Sequence, residues 1–238
     1  MTQAATVNTR NIIFGMIMVF IIVHIGFHAT YIQYFPTFEE FTWLHHIHGA
    51  LMASWVFLLV LQPVLILYRK FAVHRFFGKL SYVIAPLMII SMLIIARVSY
   101  HRWDGEYGSV EVFSWQSVTW MQLLMFGLFY SLAIYYKKNT FRHMRFMIGT
   151  AIIMIGPSLS RIINAYLDTS LEVDFELIPL YFKTGLAAAL LSLDLIKKKD
   201  WMPYSIVLLA FLFADLVYYA RYSEAWQSFG RFVVKVLY

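Results

Sequence analysis

The 238-residue chain has no cysteine, so disulfides, thiolate-held metals, iron–sulfur clusters and covalently attached c-type haem are excluded. Any metal or haem must rest on His, Met, Asp or Glu. Charge is scarce too: 13% of residues are charged and 61% are apolar or aromatic, against roughly 25% and about 45–50% in soluble domains. A water-soluble globule is thereby excluded. The net charge of +6 does not indicate nucleic-acid binding, because in a membrane chain the distribution of Lys and Arg carries the information rather than their sum. No HExxH or comparable hydrolytic motif occurs, and no lipidation motif is present. No small-residue cleavage site follows the first apolar run, which is therefore read as a retained span.

What is there is a series of apolar runs, each long enough to cross about 30 Å of hydrocarbon as a helix. They cover residues 12–31, 49–68, 80–97, 118–136, 146–163, 177–196 and 204–219, which predicts an all-α, polytopic transmembrane bundle of about seven helices, a single integral membrane domain over 1–238. The sixth run is the weakest, because Lys183 and Asp194 interrupt it. Basic residues gather in alternate connections: Arg69, Lys70, Arg75 and Lys79; Lys137, Lys138, Arg142 and Arg145; Lys197, Lys198 and Lys199. The positive-inside rule places these in the cytoplasm, with the N-terminus in and the C-terminus out. The other connections carry Glu39 and Glu40, then Asp104, Glu106 and Glu111, then Asp168, Glu172, Asp174 and Glu176. Trp and Tyr cluster at the span ends, as interfacial belts do.

Eight histidines are the most informative residues, since neutral imidazole at a membrane-helix end is a ready metal or haem ligand. On the outer side His24 and His28 lie one turn apart near the end of the first helix, and His45, His46 and His48 open the second. A short connection makes these helices antiparallel neighbours, so His24 or His28 could close on one ligand with His45 or His48. On the inner side His74 opens the third helix and His143 the fifth, at matching depth, and pairing them requires those helices to approach. His48, Trp55 and Gln62 follow at heptad spacing, which turns one amphipathic face inward. Gly78 comes one turn after His74, where a flat ligand would approach closely. Met147, Thr150 and Met154 continue roughly the His143 face, and Arg97 and Arg161 end their spans at the outer level, placed for haem propionates or for acidic loops. His45, His46 and His101 suit an interfacial role better than a ligating one. Asp215 and Lys183, both costly in hydrocarbon, form either a relay or an interhelical polar contact.

The string His48-Gly49-Ala50-Leu51-Met52-Ala53-Ser54-Trp55, then Gln62-Pro63, then His74-Arg75-Phe76-Phe77-Gly78, resembles the core of the cytochrome b561 superfamily and of a related, uncharacterised group of bacterial membrane proteins. The likeness covers about one-fifth of the chain and carries over His48 and His74 only. It implies a bundle holding one or two non-covalent b-type haems and passing electrons across a bacterial cytoplasmic membrane, with a quinol or small reductant as partner. Candidate haem-iron ligands are then His48, His74, His143 and His28, with His24, Arg97 and Arg161 as further cofactor-binding residues. Membrane lipid and a second copy of the chain complete the expected partners. The competing readings are an outer-face zinc or copper site on the His cluster, and a non-catalytic membrane subunit.

Overall fold

A segment that crosses hydrocarbon must satisfy its backbone internally, and every predicted run is helical in the computed structural model, which describes residues 9–39, 41–167 and 174–238. Glu40, Asp168 and Glu172 lie outside the described residues. The helices are α1 (Thr9–His28), α2 (Trp43–Leu67), α3 (Phe71–Tyr107), α4 (Ser109–Tyr135), α5 (Thr140–Tyr166), α6 (Leu177–Ile196), α7 (Met202–Tyr219) and α8 (Glu224–Leu237). The first seven are long and apolar enough to span, so the chain is an integral membrane helical bundle. We call the end bearing the basic connections inner, following the positive-inside rule.

The helices outrun the hydropathy windows. At 37 residues α3 is about 55 Å long, nearly twice the hydrocarbon core. Its first turns hold Arg75 and Lys79, which hydropathy assigned to a connection, beside His74, which opens the helix as expected. Likewise Arg142 and Arg145 belong to α5 rather than to a loop, Asn139 capping that helix by accepting from the Arg142 N–H (3.2 Å). Between α3 and α4 stands only Gly108, at φ +82°, a left-handed conformation that glycine adopts without strain.

Helices α1 to α5 close a ring in which each packs on the next and α5 returns to α1, while α6 and α7 pack on the far side of α5 and α7 also meets α4. The most buried spans are α4 and α5. Trp55 enters this core against Phe126 (ring centroids 5.1 Å) and Tyr130 (5.5 Å). Tyr130 and Ser81 join hydroxyls at 3.0 Å, tying α4 to α3.

The α1–α5 seam depends on Gly26. A Cβ there would come within 2.4 Å of the Ser158 carbonyl oxygen, a backbone atom that cannot swing aside. Small residues allow such backbone approach in membranes. Gly26→Ala is expected to force α1 off α5 and cost about 1–3 kcal/mol, read as a fall of several degrees in thermal unfolding midpoint in detergent. The contrasting Gly15→Ala, where a Cβ meets nothing within 4 Å, is expected to leave the midpoint in place.

Beyond the spans, α8 lies against the outer part of α4. Ser223 caps it by accepting from the Trp226 N–H (3.4 Å), and Trp226, Gly230 and Val233 form its buried stripe. Trp226 Nε1 donates to the Phe113 carbonyl (3.3 Å), and the terminal Tyr238 donates its hydroxyl to Gln116 (2.9 Å).

Candidate functional site

The inner histidines open their helices in the same way, each being the fourth residue, His74 of α3 and His143 of α5. The charge of His143 is felt at His74, although α3 and α5 are not a closely packed pair. His143 Nδ1–H donates to the Ala133 carbonyl (2.8 Å), one of the last carbonyls of α4 and without a partner inside its own helix. That bond fixes the proton on Nδ1 and leaves Nε2 with its lone pair. His74 is held through the same nitrogen by the side-chain amide of Gln62. With the amide nitrogen toward His74 Nδ1 and the His74 carbonyl, the amide oxygen accepts from the Gly78 N–H (3.2 Å). Nδ1 accepts in this arrangement, which places the proton of a neutral His74 on Nε2.

At the outer end His48 turns toward α3. Ser91 Oγ donates to the Met88 carbonyl (2.8 Å) and accepts from His48 Nδ1–H (3.0 Å), so the His48 lone pair again sits on Nε2. The charges of Arg161 and His45 reach His48. His24 and His28 are exposed on α1, His24 stacking on Phe20 (6.2 Å). Among the described residues no contact brings either of them to His48. His45 shares its Nδ1 with the hydroxyl of Thr42 (2.9 Å) at the start of α2, and His46 bonds the Tyr31 hydroxyl (2.5 Å) within an aromatic cluster with Phe38 and Phe41. His101 meets the Tyr238 carbonyl oxygen (3.3 Å).

The two arginines part company. Arg97 is exposed. Arg161 lies over the Phe27 ring (4.3 Å) and donates to the Pro157 carbonyl (3.0 Å). It also lines a cavity of about 490 Å³ among α4, α5, α6 and α7, which hydropathy gave no means of finding. Lys183 is there too, 2% exposed, and forms no ion pair with Asp215, whose carboxylate instead accepts from Thr184 Oγ1 (2.7 Å). At the cavity mouth Tyr222 donates to Glu111 (2.9 Å), and burial together with that carboxylate raises the phenol above its ordinary pKa.

A b-type haem needs two axial imidazoles with free Nε2 atoms and a partner for each Nδ1. His143 meets that requirement; His74 has a partner on Nδ1 and would give up its Nε2 proton to ligate, and Gly78, beside which a Cβ would find open space, leaves room one turn from His74. Zinc or copper needs three or four side-chain ligands, and among the described residues no group of three or more His, Asp or Glu side chains gathers. Comparison with known protein families, curated proteins and solved structures returns no match to this chain.

Proposed function

We propose that the chain is a membrane electron carrier holding b-type haem at the inner end of the bundle between His74 and His143. The observation that supports this reading is that two imidazoles open their helices at one depth, the charge of one felt at the other, each anchored through Nδ1. When bound there, haem supplies a one-electron redox couple. The residues of the chain orient it: Ala133 and Gln62 hold the two rings, and the α2–α3 and α4–α5 connections set their depth. At the outer end His48 is anchored through Nδ1 and has a nearby cation in Arg161, but the imidazole whose charge reaches it, His45, lies one turn earlier on the same helix and cannot face it across a haem, so the proposal is confined to the inner pair. In this reading the protein sits in a bacterial cytoplasmic membrane with a quinol or small reductant as its electron source.

The test is the visible spectrum of the full-length protein, purified in mild detergent from cells supplied with haem precursor. A stoichiometric low-spin b-type signal, sharpening on dithionite reduction, is the expected result. A colourless protein overturns the reading.

A further inference from the structure

The outer cavity has no part in the haem reading, yet it contains the most costly group in the membrane half of the molecule. Lys183 is the seventh residue of α6, about 9 Å below the outer end of that helix, and is 2% exposed. Among the described residues its ammonium has neither a hydrogen bond nor an ion pair. A buried charge without a direct partner is unfavourable even with Asp215 and Glu176 near enough to act on it, and ionisable groups inside membrane bundles mark ligand paths. Gly156 makes the room for it: a Cβ on Gly156 would stand 2.9 Å from Lys183 Nζ. Deeper along α4 the side-chain amide of Gln122, 7% exposed, also lines the cavity and is likewise without a partner among the described residues.

The acidic groups on the wall are already engaged. Asp174 accepts two bonds from the Tyr218 hydroxyl (2.8 and 2.9 Å) and pairs with Arg221 (3.3 Å), and Glu176 accepts from Ser160. The wall carries Arg161, Lys183 and Arg221 against Asp174 and Glu176, with Asp215 close enough to act on Lys183 and Glu111 at the mouth. The unspent hydrogen-bonding capacity is therefore one ammonium and one amide, in a space within the roughly 300–1,000 Å³ of small-molecule sites.

We propose that this cavity binds a small monocarboxylate entering from the outer face, its carboxylate on Lys183 and a neighbouring polar group on Gln122. With acidic groups already around the cavity, a monoanion enters at less cost than a polyanion, which would have to pass Asp174 and Glu176. An ammonium on a flexible stem meets a carboxylate without the bidentate fork that phosphate recognition favours. The site stands on α4 to α7 and does not depend on haem at His74 and His143.

Thermal unfolding of the full-length protein in detergent, with millimolar sodium acetate or sodium lactate and with sodium chloride as reference, tests it. A rise of several degrees with acetate or lactate is expected, since a ligand that binds only the folded state raises the midpoint. The rise is expected to vanish in Lys183→Gln and, for lactate, whose hydroxyl is the group placed on Gln122, to shrink in Gln122→Leu, while Ser192→Ala, on the exposed side of α6, keeps it. If Lys183→Gln does not fold, Gly156→Ala decides, because it retains the lysine but takes the space of its ammonium. No rise with either carboxylate, or a rise that survives Gly156→Ala and Lys183→Gln, overturns the proposal. A Lys183-dependent rise with inorganic phosphate and none with carboxylates overturns the ligand class. The haem spectrum is expected to be the same in all these variants, so loss of the cavity reading and loss of the haem reading are told apart.

Discussion

Asp194→Ala is expected to be the most destabilising single substitution at the inner end of the bundle. Asp194 on α6 takes both the Nε and Nη2 hydrogens of Arg145 on α5, the latter at 2.6 Å, and the two side chains are only 6% and 5% exposed. Phe141 and Tyr204 enclose the guanidinium, their ring centroids 3.2 and 5.3 Å from its carbon. Removing the carboxylate leaves a cation sealed among aromatic rings, a change that costs about 3–5 kcal/mol when one partner of a buried pair is lost. Detergent thermal unfolding reads this as a large fall in midpoint. Replacing both partners with apolar residues, Arg145→Met with Asp194→Leu, is expected to recover most of the loss, because no charge is then left buried. The exposed pair Glu224 and Arg231 on α8 supplies the contrast, since surface pairs contribute little. Glu224→Ala is expected to produce no measurable change, and an Asp194→Ala variant that behaved the same way would show that the buried pair does not hold α5 to α6.

This ion pair also shows where a linear reading stops. Hydropathy located the seven spans because the bilayer imposes length and apolarity on each one separately. It misjudged their ends at α3 and α5, since a long basic side chain in a first turn can reach the interface while its backbone stays helical. Arg145 therefore reads as a loop cation, and Asp194 as a blemish in its run, until packing brings them together. The partner of a buried charge lies 49 residues away, and no local pattern carries that distance. The same holds for the cavity: Lys183 stands out in sequence, but Gly156 and Gln122 acquire meaning only once α4, α5 and α6 are side by side. The missed α8 is different, because its signals are local. Ser223 followed by Glu224 marks a helix start, and Trp226, Gly230 and Val233 recur at helical spacing; a search for long apolar runs passes over it because its other face is charged. Of the histidines, depth was legible from helix order, and partners were not. The charge of His143, the partner the sequence suggested, is felt at His74, whereas His48 turns to Ser91 instead of to the α1 histidines the sequence suggested.

The inner pair leads to the second large effect. His74→Ala and His143→Ala are each expected to abolish the low-spin b-type signal of the purified protein, because removing either imidazole leaves one axial position without its side chain. His48→Ala is expected to retain it. Alanine at 143 also deprives the Ala133 carbonyl of its donor, so loss of signal alone would not separate ligation from a frayed α4 end. His143→Asn makes that separation: its amide nitrogen stands close to the position of Nδ1 and can still donate to the carbonyl, but it offers no imidazole. An unchanged unfolding midpoint with no haem signal is the expected outcome for His143→Asn. Gln62→Leu should behave differently again, keeping both ligands but releasing His74 Nδ1, and loss of such an outer partner typically weakens binding about 10–100-fold. Titration of the stripped protein with hemin, followed by absorbance, measures that shift. A His143→Asn variant that binds hemin as tightly as the unmodified chain would remove His143 from the site and, with it, the geometric support for an inner haem.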